Sequence, residues 1–302
     1  MTKEQLLKNL SVPVGPVDVV IDSDAAAEID DQYAISYLLR SKEKLNTKAL
    51  YAAPVSDERI KTPKIGMEKS YNEILNLLSL LNEELPVFSG SYEYLKDEKT
   101  PVISDAARDL ASRAATYSPD KPLYIIGIGA ITNIASAILL NPSIVDNIVI
   151  VWLGGHSYEY KDTNEFNMCQ DFAAARVAMS CGAPFVQLPC FGVVSSFSLS
   201  KSEIEFWLRG KNEICDYLSE ITVTAAEKYA KGKPWTRVIW DVAPVAWLLN
   251  DNDKFMQSRI VNTRIPDYNG VYGPPCEALH SRYVYYINRD ALMDDLIKKL
   301  IK

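Results

Sequence analysis

Histidine is nearly missing from this chain: His156 and His280 are the only two among 302 residues. The five cysteines (Cys169, Cys181, Cys190, Cys215 and Cys276) form no Cys-x-x-Cys pair. A structural zinc site draws four such ligands at short spacings, so none is expected, and the odd cysteine count suits reduced thiols. Excess positive charge is missing as well. Lys plus Arg number 32 against 39 Asp plus Glu, a formal charge of −7. Nucleic-acid backbones and anionic membranes reward concentrated cations, so neither is an expected partner. Long apolar runs are absent too. The most apolar stretch, residues 148–155, falls well short of the ~20 residues that span a bilayer. The N-terminus carries charges where a secretory leader needs an apolar stretch, which leaves the cytoplasm as the expected compartment. With no repeat, low-complexity tract or linker, one domain over residues 1–302 is expected, long enough to bury a substantial core.

Strand-like runs rich in Val, Ile and Leu occupy residues 17–22, 49–54, 123–128, 148–153 and 185–189. They are continuous rather than alternating, the pattern of strands buried on both faces. Helix-period segments lie between them at 30–40, 66–81, 104–117, 132–141 and 172–181. That order predicts an α/β fold with a mostly parallel central sheet flanked by helices. Beyond about residue 200 longer helices follow, then a short strand near 282–288 and a last helix from 290. Residues 251–275, with Pro266, Gly270, Gly273, Pro274 and Pro275, read as loop.

The densest chemistry follows the first strand. Asp22 ends it, and Asp24, Glu28, Asp30 and Asp31 come within the next nine residues. Carboxylates this close repel one another, so a cation or raised pKa values must offset their folding cost. Ligands of open α/β sheets sit at the carboxyl ends of strands, and Asp30 and Asp31 fall where a helix dipole favours negative charge. A solvated acidic loop with Asp30 as a cap is the plain alternative. If a metal is held, oxygen ligands suit calcium or magnesium rather than zinc. Asp-x-Asp after a first strand resembles two enzyme families, dehalogenase-type phosphatases and nucleoside hydrolases. The tight Asp30-Asp31 pair favours the second.

Three later segments are similar to nucleoside hydrolases of the inosine/uridine-preferring type, in the same order. Gly127-Ile-Gly-Ala-Ile-Thr-Asn-Ile-Ala135 resembles a strand-to-helix turn followed by Thr-Asn. Gly154-Gly-His156, then Glu165-Phe-Asn167 and Asp171, resembles a ribose-binding loop. Trp240-Asp241 resembles the last calcium-binding aspartate. Glu28-Ile-Asp-Asp-Gln32 and Gly66-Met-Glu-Lys-Ser-Tyr71 resemble one bacterial branch.

The resemblance implies a Rossmann-like fold, a ribonucleoside substrate and assembly as a homodimer or homotetramer. It implies calcium on Asp24, Asp31, Asp241 and the Ile128 carbonyl, with Asp22 orienting the site from behind. Asp30, Glu165 and Asn167 would bind ribose. Breaking a ribosyl C–N bond develops oxocarbenium character at the anomeric carbon, and Asp24 would take a proton from the attacking water as general base. Trp240 stands where less selective relatives carry a histidine acid, which implies stacking on the base and a purine preference. Trp235 or Tyr92 would supply a second aromatic face. His156 is a candidate pocket residue, and His280 a weaker candidate acid. Two positions depart from the pattern: Ala27 replaces a common asparagine, and Asp57 lies near an asparagine that usually touches ribose, where it could accept but not donate. The alternatives are a non-catalytic nucleoside or ribose binder and a dehalogenase-type phosphatase, which would need a downstream lysine and a Gly-Asp motif not evident here.

Overall fold

The computed structural model describes residues 1–302. In chain order its elements are α1 (Lys3–Asn9), β1 (Val17–Ser23), α2 (Asp30–Leu39), β2 (Leu45–Ala52), α3 (Pro63–Leu81), β3 (Val87–Phe88), α4 (Asp105–Ala114), β4 (Leu123–Gly127), α5 (Thr132–Leu140), β5 (Ile148–Leu153), α6 (Phe166–Gln170), α7 (Phe172–Ser180) and β6 (Phe185–Leu188). There follow β7 (Ser198–Ser200), α8 (Lys201–Glu203) running into a π-helical turn, α9 (Glu213–Ala230), β8 (Thr236–Val238), α10 (Val242–Leu248), β9 (Met256–Thr263), β10 (Cys276–Ile287) and α11 (Arg289–Leu300).

One eight-stranded sheet runs in the order β3-β2-β1-β4-β5-β6-β10-β9, parallel except for the β10–β9 pair. Strand alternation feeds two cores. Val19, Ile21, Tyr124, Ile126, Val149 and Val151 face α2, α3, α9, α10 and α11, whereas Val20, Leu123, Ile125, Ile148, Ile150 and Trp152 face α4, α5 and α7. Coverage on both faces is why the central strands read as unbroken apolar runs. Chain direction across the sheet reverses between β1 and β4. Such a switch point opens a crevice at the strands' carboxyl ends.

The five expected strands and five expected helices all form, with shifted ends. β2 begins at Leu45, four residues before the expected start at 49, because Asn46, Thr47 and Lys48 after the buried Leu45 are polar and exposed or half-exposed. The larger difference is β9, which lies inside the segment expected to be loop. It is an edge strand paired on one side only, and most of its side chains are exposed or half-exposed. Its apolar content is therefore low, and the Pro- and Gly-rich turn after it dominates the local composition. β10 starts at Cys276, ahead of the expected 282, because its first half pairs with β9 alone; contact with β6 begins at Arg282.

Asn133, in the first turn of α5, ties the switch point together. Its amide donates to Asp22 Oδ1 (2.8 Å) and to the Ala52 carbonyl (3.1 Å), and its oxygen accepts from Ser91 N (2.7 Å) and Ser91 Oγ (2.8 Å). Removing this side chain strands buried donors and acceptors on three segments, each worth about 1–3 kcal/mol when left unpaired. Asn133→Ala should lower unfolding free energy by at least that amount, read from the urea midpoint at unchanged slope. A midpoint equal to wild type would contradict this role.

Candidate active site

The carboxyl ends of β1, β4, β5 and β6 surround a cavity of about 700 Å³ including its open mouth. Asp24 enters from β1, Asp30 and Asp31 from the first turn of α2, Ile128 from the turn after β4 and Asp241 from the residue preceding α10. One oxygen each of Asp30, Asp31 and Asp241 lies within 4.8 Å of the others, all buried. Asp31 accepts from Ser23 Oγ (2.6 Å). Asp30 Oδ2 accepts from Trp240 N (3.0 Å). Asp24 Oδ2 is fully buried with no partner.

Burial raises every carboxyl in this group. It takes Asp22, opposed by the Asn133 hydrogen bond, to about 7, and Asp31, opposed by Ser23, to about 7. Burial and then repulsion from Glu28 and Asp31 take Asp30 to about 8, against the pull of Arg237. Burial followed by mutual repulsion holds Asp24 and Asp241 well above the ordinary carboxylate range. Oxygen-only donors, mutual repulsion and an orphaned Asp24 oxygen fit a hard divalent cation, which would satisfy all three at once.

On the opposite wall, Glu165 caps α6: it accepts from Asn167 N (2.9 Å), Met168 N (3.0 Å) and Gly155 N (2.9 Å). Asn167 donates to the Leu153 carbonyl (3.1 Å). Gly155 sits at φ +78, and a β-carbon there would stand 2.1 Å from the Tyr272 hydroxyl, so no other residue fits this turn. Rings line the mouth in series. Trp240 meets Phe191 edge-on (centroids 5.6 Å apart), and Phe191 lies against His156 (4.7 Å), which touches Tyr160 (5.6 Å). Burial lowers the His156 pKa, against the pull of Asp162.

The fold thus gathers Asp24, Asp30, Asp31, Ile128, His156, Glu165, Asn167, Trp240 and Asp241 around one cavity. Asp22 lies beneath it, held by Asn133. Asp57, expected at the sugar, is not part of the lining. Its carboxylate is consumed by its own turn, accepting from Arg59 N and Ile60 N (2.6 Å each) and pairing with the Arg59 guanidinium. Trp235, Tyr92 and His280 also lie outside the lining: Trp235 borders a separate surface groove, Tyr92 is half-exposed and His280 sits on β10. Asp171 is a structural joint, accepting from Leu95 N, Thr132 Oγ1 and Ala174 N. Cys190 and Phe191 line the cavity without having been singled out. Their place directly after β6, at a parallel strand's carboxyl end, was the available signal.

These features define an α/β enzyme whose cavity sets hard oxygen ligands for a cation beside an aromatic face for a planar ligand. Residues 19–271 match the model of the inosine-uridine preferring nucleoside hydrolase family, and the chain belongs to that family. It is 23% identical to the non-specific ribonucleoside hydrolase RihC of Salmonella typhimurium, over 86% of this chain and 90% of that protein. Similar folds include a plant nucleoside hydrolase, PpNRh1 (TM-score 0.74, 20% identity, 95% of this chain and 99% of that one). An inosine-guanosine nucleoside hydrolase follows (TM-score 0.71, 17% identity, 94% and 98%). The inosine-uridine preferring enzyme of Bacillus anthracis gives a TM-score of 0.69 at 16% identity, covering 94% and 99%. The protein is a hydrolase of nucleoside N-glycosidic bonds, and the family is metal-dependent. No helix is long and apolar enough to cross a membrane.

The raised carboxyl pKa values fix a pH dependence. An unfolded aspartate titrates near 3.9, so the folded, cation-free protein holds protons that the unfolded chain releases. The stability this confers is complete below about pH 4 and is lost as pH rises through about 7 to 8. In chelator, the melting temperature should therefore fall between pH 5 and pH 8. A saturating divalent cation should raise it by an increment that grows with pH. Thermal melts at four pH values, with and without calcium, measure this; a pH-independent increment would contradict it.

Proposed function

We propose that the protein is a calcium-dependent ribonucleoside hydrolase that prefers purine nucleosides, with Asp24 as general base. The observation that carries this reading is the buried, unpartnered Asp24 Oδ2, set beside Asp30 and Asp31 in a cavity that also exposes the Trp240 ring. Asp24, Asp31, Asp241 and the Ile128 carbonyl would hold calcium. Calcium bound there lowers the pKa of the attacking water and offsets the repulsion among the carboxylates.

Asp24 accepts a proton from that water as its oxygen attacks the anomeric carbon and the C–N bond breaks. One displacement inverts the anomeric centre. The carboxylates that face the sugar favour the positive charge developing on it. Asp30, Glu165 and Asn167 orient the ribose hydroxyls. Glu165 and Asn167 are themselves held by backbone groups, so little is left to reorganise when substrate arrives. Trp240 cannot donate a useful proton but stacks on the base, and a purine leaves with a proton taken up from solvent at N7, while the proton lost by the attacking water stays on Asp24 until it is returned to solvent. Uracil has no such site.

Two outcomes follow. Asp24→Asn should lower inosine turnover by roughly 10²–10⁴-fold, the usual loss on removing a general base; turnover near wild type would reject Asp24 in that role. Among substrates, inosine should exceed uridine in kcat/KM, because base–aromatic stacking is worth about 1–3 kcal/mol and a purine presents the larger face. Trp240→Ala should narrow that gap. Equal efficiencies in the wild type would remove the purine preference while leaving nucleoside hydrolysis intact.

A further inference from the structure

The acidic cluster is assembled from two segments far apart in the chain. Residues 24–31 bring Asp24, Asp30 and Asp31, and residues 237–241 bring Trp240 and Asp241. Three contacts join them. Trp240 N donates to Asp30 (3.0 Å), carboxyl oxygens of Asp31 and Asp241 lie within 4.8 Å of each other, and the Arg237 guanidinium pairs with the Glu28 carboxylate. The first two use the cluster's own carboxylates. Asp31 and Asp241 belong to the implied ligand set, so a bound cation draws on those two carboxylates. The Glu28–Arg237 pair lies outside the implied ligand set and survives cation binding.

Its setting is built rather than incidental. Glu28 is the only charged side chain among the five residues between Asp24 and Asp30, and it lines the cavity. Arg237 is 22% exposed and Glu28 42%, and the Arg237 Nε is buried without a partner. Pairing of β8 with β7, Arg237 opposite Leu199, fixes it three residues before Trp240. Arg237 also acts on Asp30, opposing the repulsion from Glu28 and Asp31. The Arg237 end is partly withdrawn from water, and screening falls as a charge leaves the open surface.

We propose that the Glu28–Arg237 ion pair is a clasp that holds the two ligand-bearing segments in register and thereby sets the affinity for the divalent cation and the alignment of the nucleoside. Both are positioning residues: Arg237 acts through Trp240 and Asp241, and Glu28 through Asp24 and Asp30. Without the clasp, α2–α10 packing keeps the segments close but cation binding has to fix their register, and that work appears as lost affinity. This inference rests on the calcium-dependent reading above.

The test uses full-length protein stripped with chelator, titrated calorimetrically with calcium chloride and assayed with inosine for kcat and KM separately. Arg237→Gln and Glu28→Gln should each weaken calcium binding by about tenfold, the lower end of what is lost when groups supporting metal ligands are removed. Inosine kcat at saturating calcium should fall as well, with circular dichroism matching wild type. Because the two act as one unit, Glu28→Gln/Arg237→Gln should lose no more than either single change. Arg237→Lys, which keeps the charge, should recover most of the affinity. Calcium binding by Arg237→Gln as tight as wild type or tighter, or losses that simply multiply in the double variant, would overturn the clasp. A wild-type protein that binds no calcium and cleaves no nucleoside overturns the functional reading and the clasp with it; a wild type that does both isolates a failure to the clasp alone.

Discussion

Repulsion among buried carboxylates is the constraint on which the rest of this structure depends. Asp22, Asp24, Asp30, Asp31 and Asp241 are all at least 95% buried. Ionised together in a low-dielectric site they would cost more than a single domain's stability can absorb. The chain meets this in three ways. Asn133 and Ser23 supply hydrogen bonds to Asp22 and Asp31, the α2 N-terminus places its dipole under Asp30 and Asp31, and Arg237 contributes one positive charge. These measures fall short of neutralising the group, and the residual repulsion is what selects for a bound cation.

The fold explains why the cluster can exist at all. Covering both faces of the sheet leaves the crevice at the β1/β4 reversal as the natural opening. Asp24 and Ile128 come from the two strands flanking it. Asp241 enters from nearly the far end of the chain because α10 packs against α2. The same crevice takes its opposite wall from the turns after β5 and β6, which are zipped by Ser157 N to the Phe191 carbonyl (3.0 Å) and Cys190 N to the Gly155 carbonyl (2.8 Å). His156 and Phe191 therefore share one wall of the cavity, which Trp240 meets from the α10 side.

Much of this was legible in the sequence where a residue type has few alternative uses. Four aspartates around a strand end, and a Trp-Asp pair before a helix, announce themselves because burying such groups without purpose is costly. The five core strands were legible for the converse reason, since double-sided burial demands unbroken apolar runs. β9 was not, because an edge strand with half-exposed side chains has almost the composition of a loop. Asp57 stands outside the cavity lining because its near neighbours Arg59 and Ile60 occupy the carboxylate, and one aspartate's choice between a local turn and a ligand does not show in residue type alone. Phe191 passed unnoticed for a similar reason. One aromatic after a strand is ordinary until the fold sets it between Trp240 and His156.

The most direct measurement is calorimetric titration of calcium into the chelator-stripped protein at pH 7, in two buffers of different ionisation enthalpy. If a cation answers the carboxylate repulsion, binding must expel protons held by Asp22, Asp24, Asp30, Asp31 and Asp241. The account predicts a single site per chain and an apparent enthalpy that shifts between buffers by about one or more protons released per calcium bound. No binding, or an enthalpy identical in both buffers, would contradict it.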